Sequence, residues 1–311
     1  MTLKRTSEKP LNSLRATVAE EKNMNIGVSS YSFQQLINSG EETQLSIIKK
    51  AKEMGFDGIE FIDLSPPEGV SEAEYAAMIR EESEKHSLPV LIYTIGANLL
   101  GENGLDAEVE RVCRKIDVAE IMGVKKLRHD AAWSMPENIK THKGFEDVLP
   151  VLVEGCRRIT EYAASKGIET MIENHGFFCQ DSERVEKIVT GVGNPNFGVL
   201  LDIGNFACAD ENSCSAAGRL MPYIKHVHAK DFHIKSGMGL NPGDGFFKSR
   251  GGNYLRGAVI GHGDIPVYQC ISLLKEKGYS GPVSVEFEGI ENCLKGIEIG
   301  YKNLKKMIEI A

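Results

Sequence analysis

The chain reads as an α/β protein built as a single (β/α)8 TIM barrel. Three observations predict it. Eight short apolar segments recur between residues 24 and 289, helical periodicity fills the intervals, and the last four segments each carry a residue able to hold a divalent metal. Short strands alternating with helices make βαβ units and a parallel sheet, whose C-terminal strand ends converge on one mouth when it closes. An open doubly wound sheet is the competing arrangement, but no Gly-rich phosphate fingerprint follows the first strand.

MNIGVSSY (24–31) is the first strand, followed by a helix in EETQLSIIKKAKEMG (41–55). FDGIEFID (56–63) is the second, with SEAEYAAMIREESEKH (71–86) as its helix. PVLIYTIGAN (89–98) is the third, with LDAEVERVCRKIDVAEIMG (105–123), and VKKLRHDAA (124–132) is the fourth, with a long helix across 144–166. IETMIENHG (168–176), FGVLLDIGN (197–205), IKHVHAKDF (224–232) and VSVEFEG (283–289) complete the eight, with helical segments between them and after the last. Gly55, Gly123, Gly167 and Gly278 stand where helical periodicity gives way to the next strand, as helix-closing glycines do. One connection is irregular: Ile234 to Asp264 is rich in glycine and poor in periodicity. A loop this long after strand seven, on the ligand-bearing face, predicts a lid.

Composition bounds the rest. At 311 residues the chain could hold two domains, but barrels of about 250 residues or more form one unit, and no composition break divides this one. Residues 1–23 read as a polar extension and 24–311 as the barrel. A net charge of −8 argues against nucleic acid as a partner. No apolar run reaches the ~20 residues of a membrane span, and the start lacks the apolar core of a secretory signal. The seven cysteines (113, 156, 179, 208, 214, 270 and 293) lack zinc-knuckle spacing, and a chain this long needs no disulfide framework. A reduced, cytoplasmic setting is expected. Cys179, just past the fifth strand, is the one cysteine whose place suggests chemistry.

Glu173 in ETMIENHG, Asp202 in VLLDIGN, His228 in IKHVHAKD and Glu286 in VSVEFEG put three carboxylates and one imidazole at the ends of four strands. Each could separately cap a helix or pair with a lysine. Together they crowd anionic charge into one barrel mouth, which is costly unless a cation neutralises it. One divalent ion bound by all four is the expectation. The hard, mostly oxygen set favours Mn²⁺ or Mg²⁺, with Co²⁺ or Zn²⁺ admitted by the histidine.

With those residues in place, GFDGIEF, IENHG, LDIGN, HVHAKD, IGHGDIP and VSVEFEG resemble the xylose-isomerase-like sugar phosphate isomerase/epimerase superfamily. The resemblance covers residues 24 to about 308. It implies a small carbohydrate substrate and a divalent metal, with ketose 3-epimerases, hydroxypyruvate isomerases, inosose dehydratases and C-glycoside deglycosylases among the relatives. It also implies a homo-oligomer, or a hetero-complex with a small subunit as in the deglycosylases. Endonuclease IV is excluded: the positions of its extra metal ligands hold Asn205, Leu255 and Gly257. Asn205 also replaces the substrate-contacting histidine common in ketose 3-epimerases.

Chemistry at such a site is proton removal next to a metal-polarised carbonyl, through an enediolate. Glu173 and Glu286, or His175, are the expected acid/base groups. Returning the proton gives an isomerase or epimerase, the primary expectation; expelling a β-leaving group gives a dehydratase or C-glycoside lyase. A sugar-binding subunit without turnover is the non-enzymatic alternative. His175, two residues after Glu173, faces the same cavity if the strand continues; the resemblance to dehydratase-like relatives makes it a base, and its alternative role is to orient Glu173 or a substrate hydroxyl. Glu60 and His129, at the ends of strands two and four, are expected to contact substrate or support the ligands. Lys230 would hold an oxyanion or pair with a site carboxylate. Asn205, Trp133 and Phe177 complete the expected substrate contacts, the two aromatics as a pocket wall.

Overall fold

The computed structural model describes residues 24–136 and 143–311. The expected extension at 1–23 lies outside the described residues. In chain order the elements are β1 (Ile26–Ser29), α1 (Gln34–Ser39), α2 (Ser46–Glu53), β2 (Gly58–Phe61), α3 (Glu72–His86), β3 (Val90–Ile95) and α4 (Leu105–Met122). There follow β4 (Lys126–His129), α5 (Phe145–Ser165), β5 (Glu169–Glu173), α6 (Ser182–Val192), β6 (Phe197–Asp202), α7 (Ser213–Leu220) and β7 (Ile224–Ala229). The last are β8 (Asp231–Lys235), β9 (Phe247–Lys248), β10 (Tyr254–Ala258), α8 (Val267–Glu276), β11 (Val283–Val285) and α9 (Cys293–Ile310).

Seven strands, β1 to β7, and β11 close into a parallel barrel, in which Val28 of β1 pairs with Ile59 of β2 on one side and Val285 of β11 on the other. This is the predicted (β/α)8 TIM barrel. The predicted first helix divides into α1 and α2, because Gly40 adopts φ +77 and ends α1. Ser71 caps α3 with Glu74 in a reciprocal capping box, so SEAE marks that helix start as the sequence suggests. Burying the barrel strands against the helix layer supplies the main stabilisation, since apolar area removed from water contributes roughly 25 cal/mol per Å².

Inside the barrel, Ile92, Met171 and Leu200 are fully buried and form a small apolar layer of their own. Met171 and Leu200 stand two residues before Glu173 and Asp202 on their strands. Period-two alternation therefore sets both carboxylates on the inner face, above an apolar floor.

The Gly-rich segment is not the unpatterned loop its sequence suggests. β8, β10 and β9 form a three-stranded antiparallel sheet, with Leu255 paired to Ile234 and to Phe247. Asp231 anchors its base: the buried carboxylate accepts from the backbone N–H of Gly261 and Gly263 at 2.9 Å each, Ile265 at 3.1 Å and Phe232 at 2.8 Å. The turn between β9 and β10 is tied to the barrel by Arg250, which reaches Asp181 at 2.9 Å and the Phe177 carbonyl. No helix among the described residues is long and apolar enough to cross a membrane.

Candidate metal centre

Asp202, His228, Glu173 and Glu286 meet at the C-terminal end of the barrel, with one ligand atom from each within 4.8 Å of all the others. His228 Nδ1 lies 3.3 Å from Glu286 Oε2, 3.8 Å from Asp202 Oδ2 and 3.9 Å from Glu173 Oε1. The imidazole is turned this way by its other nitrogen, which lies 2.7 Å from Glu60 Oε1. Glu60 is fully buried, and its second oxygen faces His226 Nε2 at 3.0 Å. Burial opposes ionising Glu60, but the His228 and His226 imidazoles hold its carboxyl well below the usual range. Burial likewise disfavours the His228 cation, and Glu60 and Glu286 override it, so the ring stays protonated far above its ordinary range. The Nδ1 proton is the one a metal ligand must give up.

The carboxylates are held as firmly as the imidazole. Asp202 Oδ1 accepts from the backbone N–H of Gly204 at 2.8 Å and Asn205 at 2.9 Å, leaving the buried Oδ2 turned to the ligand ring and Lys230. Asn174 pairs with the Asp202 backbone in both directions at 2.9 Å, fixing the end of β6 against β5. Glu173 is gripped by Arg128 Nε, 2.7 Å from Oε2, and by Asn205 Nδ2, which donates to Oε1 at 2.9 Å. Lys230 Nζ stands 2.7 Å from Glu286 Oε2, 3.1 Å from Asp202 Oδ2 and 3.3 Å from Glu288 Oε2. Burial, together with Glu286 and Glu173, pushes the Asp202 carboxyl up to about 7 despite Lys230. Burial also disfavours the Glu286 anion, but Lys230 and His228 hold its carboxyl well below the usual range.

His175 stands one turn away. β5 ends at Glu173, so His175 is not on the strand: its N–H donates to the Glu173 carbonyl at 2.9 Å in a tight turn completed by Gly176 at φ +80 and Phe177 at φ +60. The side chain remains 45% exposed at the mouth, with Nδ1 2.9 Å from Asp130 Oδ1. Asp130 is a hub. The same oxygen forms an ion pair with Arg128 Nη2 at 2.7 Å, and Oδ2 accepts the Trp133 indole N–H at 3.1 Å. Desolvation would lower the His175 pKa, but the Asp130 carboxylate raises it above the ordinary histidine value.

Several expected roles change with these contacts. His129 does not face the mouth: it is fully buried, stacks on Phe197 at 6.2 Å and bonds the Asp130 carbonyl through Nδ1 at 2.8 Å. Arg128 beside it reaches Glu173, and strand alternation turns His129 outward, where burial lowers its pKa to about 4. Glu60, sealed beneath His228, cannot touch a substrate and supports the ligand ring. Lys230 takes the carboxylate-pairing alternative, and Asn205 is occupied by Glu173 and by Lys230, which donates to its Oδ1 at 3.2 Å. Trp133 and Phe177 are exposed beside the mouth. Cys179 is buried and its thiol pushed up to about 12 by that burial, which removes it as a nucleophile. Arg128, Asp130 and Glu288 were not anticipated, although K-x-R-x-D in 126–130 has the period-two spacing of one inner face. A cavity of about 190 Å³ is lined by Tyr31, Gln35, Asn38, Phe287 and Glu288, the last of which also meets Lys230.

The residues fit a divalent cation. Three carboxylates and an imidazole converge with one ligand atom of each within 4.8 Å of all the others, a hard donor set of the kind divalent cations take. Residues 48–307 match the xylose isomerase-like TIM barrel family, and the chain belongs to it. It is 25% identical to an inosose dehydratase of Clostridium botulinum over 53% of this chain and 56% of that one. It is 29% identical to an inosose dehydratase of Mesomycoplasma hyopneumoniae over 48% of each chain. The alignments thus span about half the length of these curated relatives. Among solved structures, the IolI protein with a bound zinc atom superposes with a TM-score of 0.71, at 18% identity, over 92% of this chain and 98% of that one.

Proposed function

We propose that the protein is a divalent-metal-dependent enzyme that removes a proton next to the carbonyl of a keto-sugar or keto-inositol and expels a β-leaving group. The observation that carries this reading is the Asp130–His175 pair at 2.9 Å, with the imidazole open to the mouth. Asp130 accepts from Nδ1–H, which fixes the tautomer and leaves Nε2 free as a base. Glu173 is less free to take that proton, because Asn205 Nδ2 donates to its Oε1 and the Arg128 guanidinium pairs with its Oε2 at 2.7 Å.

Three carboxylates and His228 support one metal, with Mn²⁺ or Mg²⁺ favoured by the hard donor set and Zn²⁺ or Co²⁺ compatible with the imidazole. Such an ion polarises a substrate carbonyl as a Lewis acid when bound. The chain's own residues do the rest. His175 Nε2 takes the C–H proton, the electron pair left behind forms the new double bond, and the C–O or C–C bond breaks with its pair going to the leaving group. The proton held by His175 then passes to that departing atom, releasing water, an alcohol or the aglycone and restoring the neutral imidazole. Trp133, held by Asp130, offers an indole face to the ring of the substrate.

Similarity to inosose dehydratases supports a keto-inositol or related cyclic ketone as the substrate class. A sugar isomerase or epimerase is the second reading, favoured by Glu173 and Glu286 both bordering His228 Nδ1. In that reading the proton returns to carbon and nothing leaves. The Mn²⁺-loaded protein is to be incubated with keto-inositols, 3-oxo-glycosides and ketoses, and the products read by NMR. An unsaturated or cleaved product supports the lyase, an isomer or epimer alone supports the second reading, and no turnover across the panel overturns both.

A further inference from the structure

Lys230 is bound to the same oxygen atoms that face the metal position. The oxygens nearest His228 Nδ1 on their residues are Glu286 Oε2, Asp202 Oδ2 and Glu173 Oε1. Lys230 Nζ contacts two of these three, Glu286 Oε2 at 2.7 Å and Asp202 Oδ2 at 3.1 Å. The ammonium is buried, and without it the His228 imidazole alone would face the two buried carboxylates at this point. It also has a second set of partners that are not metal ligands: Glu288 Oε2 at 3.3 Å and Asn205 Oδ1 at 3.2 Å.

From this geometry we infer that Lys230 is a tethered cation that neutralises Asp202 and Glu286 whenever no metal is bound and yields them to the ion on loading, drawing back onto Glu288 and Asn205. The inference rests on the proposed metal centre. Two cations cannot both neutralise the same pair of oxygens at full strength, so lysine contacts and metal contacts are coupled with opposite sign. The ammonium stabilises the metal-free protein more than the loaded one. It thereby lowers metal affinity and keeps the four ligands assembled before the ion arrives. Glu288 and Asn205 are the resting place that allows the exchange without exposing a bare charge.

The test compares the parent with Lys230→Met and Lys230→Gln, using Mn²⁺ alone as the probe. Manganese dissociation constants and thermal midpoints, with and without the ion, are measured for each. The expected result is Mn²⁺ binding tighter by about tenfold or more in both variants, with the metal-free midpoint lowered and the loaded midpoint little changed. The larger metal-induced rise in Tm is the mark of exchange, because a merely structural lysine would lower both midpoints equally. Equal lowering, or affinity unchanged or weaker, overturns the inference. If a variant is soluble only when loaded, loss of the metal-free fold alone agrees with the same inequality, and the affinity is then taken from chelator competition. A parent that binds no Mn²⁺, Mg²⁺, Zn²⁺ or Co²⁺ overturns the metal centre itself, which is a separate outcome.

Discussion

Glu60 Oε1 and His228 Nε2 lie 2.7 Å apart, with both side chains sealed from solvent beneath the carboxylate ring. A carboxylate behind a histidine ligand fixes the ring orientation and strengthens its donor nitrogen. Here one glutamate serves two imidazoles, since its other oxygen meets His226 at 3.0 Å. Glu60→Gln should therefore weaken metal binding by about 10–100-fold, although Glu60 is not one of the four proposed ligands. Calorimetric titration with Mn²⁺ checks this, and parental affinity in the variant would show that His228 needs no such support.

The pair Asp130–His175 sets a pH dependence. A base works in its neutral form, and Asp130 raises the pKa of His175, so the acid limb of kcat should lie above the ordinary histidine value of 6.5. Asp130→Asn removes the charge that raises it. The limb should then move to lower pH while kcat falls, because the orienting acceptor is weakened. Rate profiles of both proteins from pH 5 to 9 provide the measurement; a limb that stays in place would detach Asp130 from the chemistry.

Much of this site is legible in the sequence, for a physical reason. Charged residues that end apolar strands are expensive, so Glu173, Asp202, His228 and Glu286 stand out, and barrel geometry brings strand ends together. The fourth strand shows where legibility fails. In KLRHDAA the polar residues are consecutive, and only the strand's phase decides that Arg128 and Asp130 face inward while His129 packs on Phe197. His175 reads as a strand residue because ENH continues the alternation, yet the turn at Gly176 ends β5 two residues earlier. The inserted sheet is hidden because β9 has two residues and its partners are separated by glycines and turns, so no period of two accumulates.

IGHGDIP is a structural signature here. Asp231 gathers the N–H groups of Gly261, Gly263 and Ile265, and a Cβ on Gly263 would stand 2.2 Å from its Oδ1 and 2.5 Å from the Phe232 carbonyl. Asp231→Ala leaves several backbone donors without an acceptor, a loss of about 3 kcal/mol or more. Gly263→Ala should likewise destabilise the protein. Denaturant unfolding of metal-loaded samples measures both effects; stability within error of the parent would remove Asp231 as the anchor of the inserted sheet.

Arg250 joins the inserted sheet to the turn that carries His175, through Asp181 and the Phe177 carbonyl. Arg250→Ala should raise KM severalfold with metal content unchanged, because it loosens the rim and not the ligand ring. Steady-state kinetics beside elemental analysis separates the two. Lost metal with KM intact would place the role of Arg250 elsewhere.

The central claim is that His175 removes a proton next to a carbonyl at a metal-loaded site, and solvent exchange reads that step directly. Mn²⁺-loaded parent and His175→Gln proteins are to be incubated in D2O with a keto-inositol and a 3-oxo-glycoside, and deuterium entering the carbon beside the carbonyl or the eliminated product is followed by NMR. The account predicts incorporation or elimination with the parent, and neither with His175→Gln at equal metal content. Exchange that persists at the parental rate in His175→Gln would contradict it and return the proton to Glu173 and Glu286.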